Sequence, residues 1–174
     1  MVLETSHILI ATGSVPACPP IPGSSLPGVV TSDGLLDKKD MFEHLIIIGG
    51  GVIGMEFASV YSSLGHGVTV IEALDRILPT MDKEIAQNLK MIMKKRNVRI
   101  SIRGQRWRRS FRQTDGKGLI CRIYGKGLNP DEARADGILI RYGPQGRYTG
   151  GLITDESSRE VKDYGHGTRA YYHG

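Results

Sequence analysis

A chain of 174 residues with 40% hydrophobic content can bury one globular core and a fraction of a second. Aromatic content of 6% makes that core mainly aliphatic, and 23 glycines make the chain rich in turns. The formal charge of +5 is unevenly spread: residues 1–100 carry 9 basic against 10 acidic side chains and residues 101–174 carry 14 against 8, which excludes a uniformly basic molecule.

No apolar run approaches the roughly 18–20 residues that a membrane span requires. The opening MVLETSHILI has neither a basic n-region nor an apolar stretch long enough for a signal peptide. A cytoplasmic location and no membrane partner are expected. The two cysteines, Cys18 and Cys121, form no CxxC or metal-type spacing and read as free thiols. No cluster of His, Cys and carboxylates suggests a metal.

In chain order, His7 to Gly13 (HILIATG) reads as a buried strand running into a loop. Ser14 to Gly28 holds five prolines in fifteen residues, which rules out helix and central strand and predicts an extended connector. Thr31-Ser32-Asp33 offers N-cap chemistry for a short helix. Leu45 to Ile48 is a fully apolar strand, as in the middle of a parallel sheet. Val52 to Leu64 turns helical, with Ile53, Phe57, Val60, Tyr61 and Leu64 at helix spacings, and Gly65 and Gly67 stop it. Val68 to Ile71 is a second apolar strand with Glu72 at its end. Asp82 to Arg96 is an amphipathic helix with Ile85, Leu89, Ile92 and Met93 on one face. Val98 to Ile102 reads as the next strand. SIRGQRWRRSFRQ has no clear period, whereas Leu119 to Tyr124 and Gly137 to Tyr142 look like strands. From Gly143 the pattern fails, and no structure is expected there.

The strand, glycine turn, helix and strand of residues 45–72 make a βαβ unit. Gly49, Gly51 and Gly54 stand at GxGxxG spacing. The first permits the sharp turn, the second lets backbone approach a pyrophosphate, and the third allows close helix–strand packing. Val52 and Ile53 lie between the second and third glycines and count with them as cofactor-binding. The turn delivers phosphates to a helix N-terminus, where free N–H groups and roughly half a unit of positive charge favour an anion. Glu72 lies 18 residues past Gly54 and 23 past Gly49. A carboxylate there accepts hydrogen bonds from a ribose 2′-OH and repels a 2′-phosphate, so NAD is expected over NADP.

HILIATGSVPACPPIPG followed by LIIIGGGVIGMEFASVYSSLGHGVTVIEALDRILPTMD resembles the middle of a flavin-dependent pyridine nucleotide-disulfide oxidoreductase, and within that family the dihydrolipoyl dehydrogenase branch. The likeness is close over residues 1–100 and loose over 113–140. It implies an oxidoreductase that moves electrons between NAD(H), FAD and a dithiol/disulfide. By resemblance, Ala11, Thr12 and Gly13 lie where the chain leaves the FAD domain, and Glu56 lies near the nicotinamide. The resemblance also implies a homodimeric parent enzyme within a 2-oxoacid dehydrogenase or glycine cleavage complex. The family's FAD-binding GxGxxG, its CxxxxC pair and its His-Glu pair do not occur in these residues, and no catalytic residue is assigned. The chain is expected to be a catalytically incomplete fragment whose FAD contacts are confined to an edge; the alternatives are a module that binds NAD or ADP without catalysis and a related NADH-dependent flavoprotein reductase.

The expected fold is α/β: a Rossmann-type NAD-binding domain over residues 31–142. It holds a parallel sheet from about 44–102 and a partial β-meander over 115–142. A remnant of the FAD domain and connector precedes it over 1–30, and a poorly patterned tail follows over 143–174. The stretches 101–112 and 141–174 depart from the family pattern and are basic and aperiodic, as out-of-frame translation would leave them. A nucleic-acid site built on Arg103, Arg106, Arg108, Arg109 and Arg112 with Trp107 is the competing reading of that charge. No nucleic-acid partner is expected, and neither is a metal.

Overall fold

The computed structural model describes residues 7–11, 20–102, 107–114, 116, 118–125, 131–140 and 150–154. The chain divides into two compact units, Cys18–Gly143 and Met1–Ala17 with Pro144–Gly174.

Strand β3 (His44–Ile48) organises the larger unit. Leu45 through Ile48 are at most 1% exposed, because both faces of this strand are covered. A strand with no polar face is stable only inside a sheet between two layers. It sits third in a five-stranded parallel sheet together with β2 (Val29–Val30), β4 (Gly67–Glu72), β5 (Arg99–Ile102) and β9 (Gly137–Ile140). The order is β2-β9-β3-β4-β5, and every pairing in it is parallel.

Alternation along β3 splits the core in two. Leu45 and Ile47 pack with Met55, Ala58 and Tyr61 of helix α2 (Val52–Ser63) and with Met93 of helix α3 (Lys83–Lys95). Leu35 of the short helix α1 (Ser32–Leu36) joins the same layer, and the Thr31 side chain caps that helix. Ile46 and Ile48 pack instead with Phe111, Leu119, Cys121 and Ile123. Those residues come from a separate antiparallel sheet of β6 (Trp107–Gln113), β7 (Leu119–Gly125) and β8 (Asp131–Ala135).

This architecture confirms the α/β Rossmann-type class and corrects several details. The parallel sheet does not end at Ile102. Gly137–Ile140 pairs with β3 rather than with the meander, and Val29–Val30 leaves the expected connector to pair with β9. The meander is therefore β6–β8, and the stretch without clear period supplies its first strand. In β6, Phe111 is buried while Arg108 and Arg112 face water, an alternation too short to register against five interspersed polar residues.

The helix faces also differ from expectation. In α2 the buried side is Gly54, Met55, Ala58 and Tyr61, leaving Val60 and Leu64 outside at 52% and 61% exposure. Small residues let the helix approach the sheet closely, so the contact line follows Gly54 and Ala58 rather than the bulkiest side chains. In α3, Ala86 and Met93 are buried with Leu89 partly so, while Ile85 and Ile92 are exposed.

The described strands of the smaller unit are β1 (His7–Ala11) and β10 (Gly150–Thr154). They pair antiparallel from His7↔Thr154 to Ala11↔Gly150. A strand thus occurs in the tail where none was expected. Its GGLIT composition is too short and too glycine-rich to announce itself without a partner. Among the described residues, no helix is long and apolar enough to cross a membrane.

At the N-terminal edge of the parallel sheet, Asp136 accepts hydrogen bonds from the Glu43 N–H (2.9 Å) and the His44 N–H (2.8 Å), tying the start of β9 to β3. The His44 Nε2 lies 3.0 Å from the Thr69 hydroxyl. Partial burial lowers the His44 pKa below 6.5, and the Asp136 carboxylate opposes this less strongly. Folding therefore favours neutral imidazole. That contribution is complete above pH 6.5 and is lost as pH falls through the lower folded-state value. Urea midpoints should decline from pH 7 to pH 5 in the native chain, and His44→Gln should flatten part of that decline.

Candidate functional site

The three glycines of the turn after β3 serve different masters. Gly49 has φ +114°, a backbone state that favours glycine, and its N–H donates to the Ile71 carbonyl at 2.9 Å. This staples the turn to the end of β4. At Gly54 a Cβ would lie 2.2 Å from the Gly49 carbonyl oxygen, so the first turn of α2 can close on the strand end only without a side chain. Gly51 is the N-cap of α2, with φ −74° and ψ −178°, an extended conformation open to any residue. A Cβ on Gly51 would meet no protein atom within 4 Å, and no side chain caps the helix.

Glu72 ends β4 at 6% exposure. One carboxylate oxygen accepts the Gly50 N–H at 2.5 Å and the other accepts the Leu74 N–H at 2.7 Å. An ionised carboxylate offers about four lone-pair sites, so each oxygen keeps capacity for a further donor. Two backbone donors fix the carboxylate's orientation before any ligand arrives.

The stretch after Glu72 closes the other side of the turn, which the sequence reading missed. The Leu78 N–H donates to the Gly50 carbonyl at 2.8 Å, and Ile77, 1% exposed, lies where a Gly50 side chain would go. Both polar groups of Gly50 are thereby held from the β4 side. The available signal was the apolar pair Ile77-Leu78 within the connection ALDRILPTMD. Leu78 takes φ +47° to make this contact.

The other expected residues fall as follows. Val52 is exposed and Ile53 half-buried at the first turn of α2, and Glu56 is exposed one turn further on. Ala11 ends β1 in the smaller unit, whereas Thr12 and Gly13 lie outside the described residues, as does Cys18. Cys121 is a free, buried thiol whose pKa burial pushes up to about 12, so it is core packing and no nucleophile. Among the described residues, no cluster of His, Cys and carboxylates could hold a metal.

A cleft of about 250 Å³ lies beyond Ile77, lined among others by Arg76, Lys83, Gln87 and Lys90. None of the turn glycines lines it. The Arg76 guanidinium turns away from solvent there, donating to the Pro79 carbonyl at 2.8 Å through one nitrogen, while its other terminal nitrogen is buried and unpartnered.

The turn also sits where open parallel sheets bind ligands. β4 and β5 extend from one side of β3, and β9 lies on the other, so the order of strands switches sides at β3 and leaves a crevice at its carboxyl end.

The family model for pyridine nucleotide-disulphide oxidoreductases matches residues 2–159. A dihydrolipoyl dehydrogenase of Acholeplasma laidlawii is 34% identical over 170 residues, covering 93% of this chain and 48% of the relative. One of Bacillus subtilis is 44% identical over 98 residues, covering 55% of this chain and 20% of the relative. The solved HOCl-induced flavoprotein disulfide reductase RclA of Escherichia coli aligns with TM-score 0.62 at 34% identity, over 78% of this chain and 29% of that one. The chain spans less than half the length of these relatives. It belongs to the pyridine nucleotide-disulphide oxidoreductases, flavin-dependent enzymes that work with FAD and a pyridine nucleotide.

Proposed function

We propose that the turn Gly49–Gly54 and Glu72 hold NAD(H), with NAD preferred over NADP. The observation that supports this most directly is the empty space around Gly51. Gly49 and Gly54 are glycines for reasons internal to the fold, but nothing in the protein requires one at Gly51. A pyrophosphate laid across the uncapped start of α2 supplies the reason, since a side chain there would hold it away from the helix N–H groups.

In this reading the Val52 and Ile53 N–H groups face the phosphates, and the oriented Glu72 carboxylate accepts from the adenosine ribose hydroxyls. A 2′-phosphate would bring like charge against Glu72 in a site where Gly50 and Leu74 prevent the carboxylate from turning aside. Glu56, exposed on α2, lies toward the nicotinamide end. Bound there, NAD(H) supplies the hydride exchanged with FAD in the whole protein.

For the whole protein we propose dihydrolipoyl dehydrogenase-like chemistry, passing electrons between NAD(H), FAD and a dithiol/disulfide. Ala11, Thr12 and Gly13 serve at the edge of the flavin. A homodimer within a 2-oxoacid dehydrogenase or glycine cleavage complex fits that chemistry.

Fluorescence titration of the folded chain tests the nucleotide site. Saturable NADH binding with a dissociation constant below about 1 mM is expected, with NADPH at least tenfold weaker. A folded chain that shows no saturation at millimolar NADH would overturn the reading.

A further inference from the structure

The outer face of the β6–β8 sheet carries a charge cluster that the nucleotide site does not use. The sequence groups Arg108, Arg109 and Arg112 together, but strand alternation separates them. Arg109 pairs across with Ile123 on the inner, core-facing side, whereas Arg108 and Arg112 point outward. Outside they meet arginines remote in sequence. Arg108 stands opposite Tyr124, Arg112 opposite Ile120, and Ile120 opposite Arg134. Arg122, on the same face of the central strand, is a diagonal neighbour of Arg108, Arg112 and Arg134, at about 7–8 Å for each backbone pair.

Four guanidiniums therefore share this face, with Glu132 as the acid among the described residues on it. Glu132 pairs with Arg122 at 2.7 Å. The hydrogen bond from Arg122 holds its carboxyl below the usual range; desolvation opposes this, and the charges of Arg122, Arg112 and Arg134 add to the lowering. One carboxylate thus serves several arginines. Crowding like charges on a small sheet opposes folding, so the arrangement brings the isolated chain no stability. Tyr124, 36% exposed, stands at one end of this face, opposite Arg108 and two residues along the strand from Arg122, while Arg112 and Arg134 flank Ile120 towards the other end.

We propose that this face binds single-stranded nucleic acid, with Arg108, Arg112 and Arg134 on phosphates and Tyr124 stacked on a base. A sheet face bearing a row of cations with an aromatic ring at one end matches a chain that alternates phosphates with π-faces. An acidic peptide would satisfy the charges but leave Tyr124 without a matching surface, which decides between the two polyanions. This departs from the sequence-based expectation of no nucleic-acid partner. The reason is tertiary: register, not chain proximity, assembles the cluster. The property belongs to the chain as it stands, whatever the history of its reading frame.

Fluorescence anisotropy of the full chain with a labelled oligothymidylate tests it. Three phosphate contacts predict a roughly 20-fold loss of affinity between 50 and 200 mM salt. The double variant Arg112→Gln, Arg134→Gln should lower the log–log salt slope by about 1.4. The lysine double variant at the same positions should keep the slope. Tyr124→Leu should weaken binding roughly tenfold without changing it. The pair Lys94→Gln, Lys95→Gln on α3 removes equal charge elsewhere and should leave binding intact. Absence of salt-dependent binding overturns the proposal, and so does equal loss in the α3 variant. Displacement of the oligonucleotide by an equal concentration of polyglutamate of matched charge overturns it in favour of an acidic protein.

Discussion

Gly54→Ala should destabilise the chain by about 3 kcal/mol or more, while Gly51→Ala should change stability by less than about 1 kcal/mol. The two positions are three residues apart in one motif, yet their surroundings are opposite. A methyl at Gly54 would overlap the Gly49 carbonyl, a backbone atom that is itself locked by φ +114° and by the bond to Ile71. Relief requires moving α2 off the sheet, which opens the layer formed by Met55, Ala58 and Tyr61. A methyl at Gly51 enters empty space with an ordinary φ of −74°. Urea denaturation should show the difference in midpoint with little change in slope. NADH titration should show the converse for Gly51→Ala: normal folding and at least tenfold weaker binding. If Gly51→Ala binds NADH as the native chain does, the pyrophosphate does not cross the start of α2.

Glu72→Ala should produce both effects at once. It strips the acceptor from the Gly50 N–H and the Leu74 N–H, and the loss of two buried partners should cost about 2–4 kcal/mol. Glu72→Gln keeps one acceptor but turns an amide donor toward one of those N–H groups, for about 1–3 kcal/mol. If the carboxylate also receives ribose hydroxyls, both variants should weaken NADH binding, and the NADH-to-NADPH affinity ratio should fall at least tenfold. A loss of stability with an unchanged ratio would leave Glu72 as a brace for the turn alone. The ratio separates the roles because the damage to the fold is common to both cofactors.

By itself, the sequence determined the part of this protein built from local rules. Four consecutive apolar residues, a glycine turn, a helix and a second apolar strand can be read from Leu45 to Glu72 because each signal acts within a few residues. Asp82 at the start of α3 and the cap chemistry of Thr31-Ser32-Asp33 before α1 were legible for the same reason, and the structure makes Asp82 and Thr31 the caps. The family motifs added NAD, FAD and the oxidoreductase class.

What only the tertiary structure decided depended on contacts across long separations. Nothing near Gly137–Ile140 says that it pairs with β3 rather than with the preceding strands, because an apolar tetrapeptide suits either sheet. The buried sides of α2 and α3 depended on how closely small residues let each helix approach. The brace of Ile77 and Leu78 on Gly50 joins positions separated by a whole helix and strand. The arginine face exists only because antiparallel register brings Arg108, Arg112, Arg122 and Arg134 to one side while alternation sends Arg109 to the other. The turn glycines show the same division. Their spacing is that of a GxGxxG fingerprint, but only the packed structure shows that Gly49 and Gly54 serve the fold and that Gly51 leaves space open.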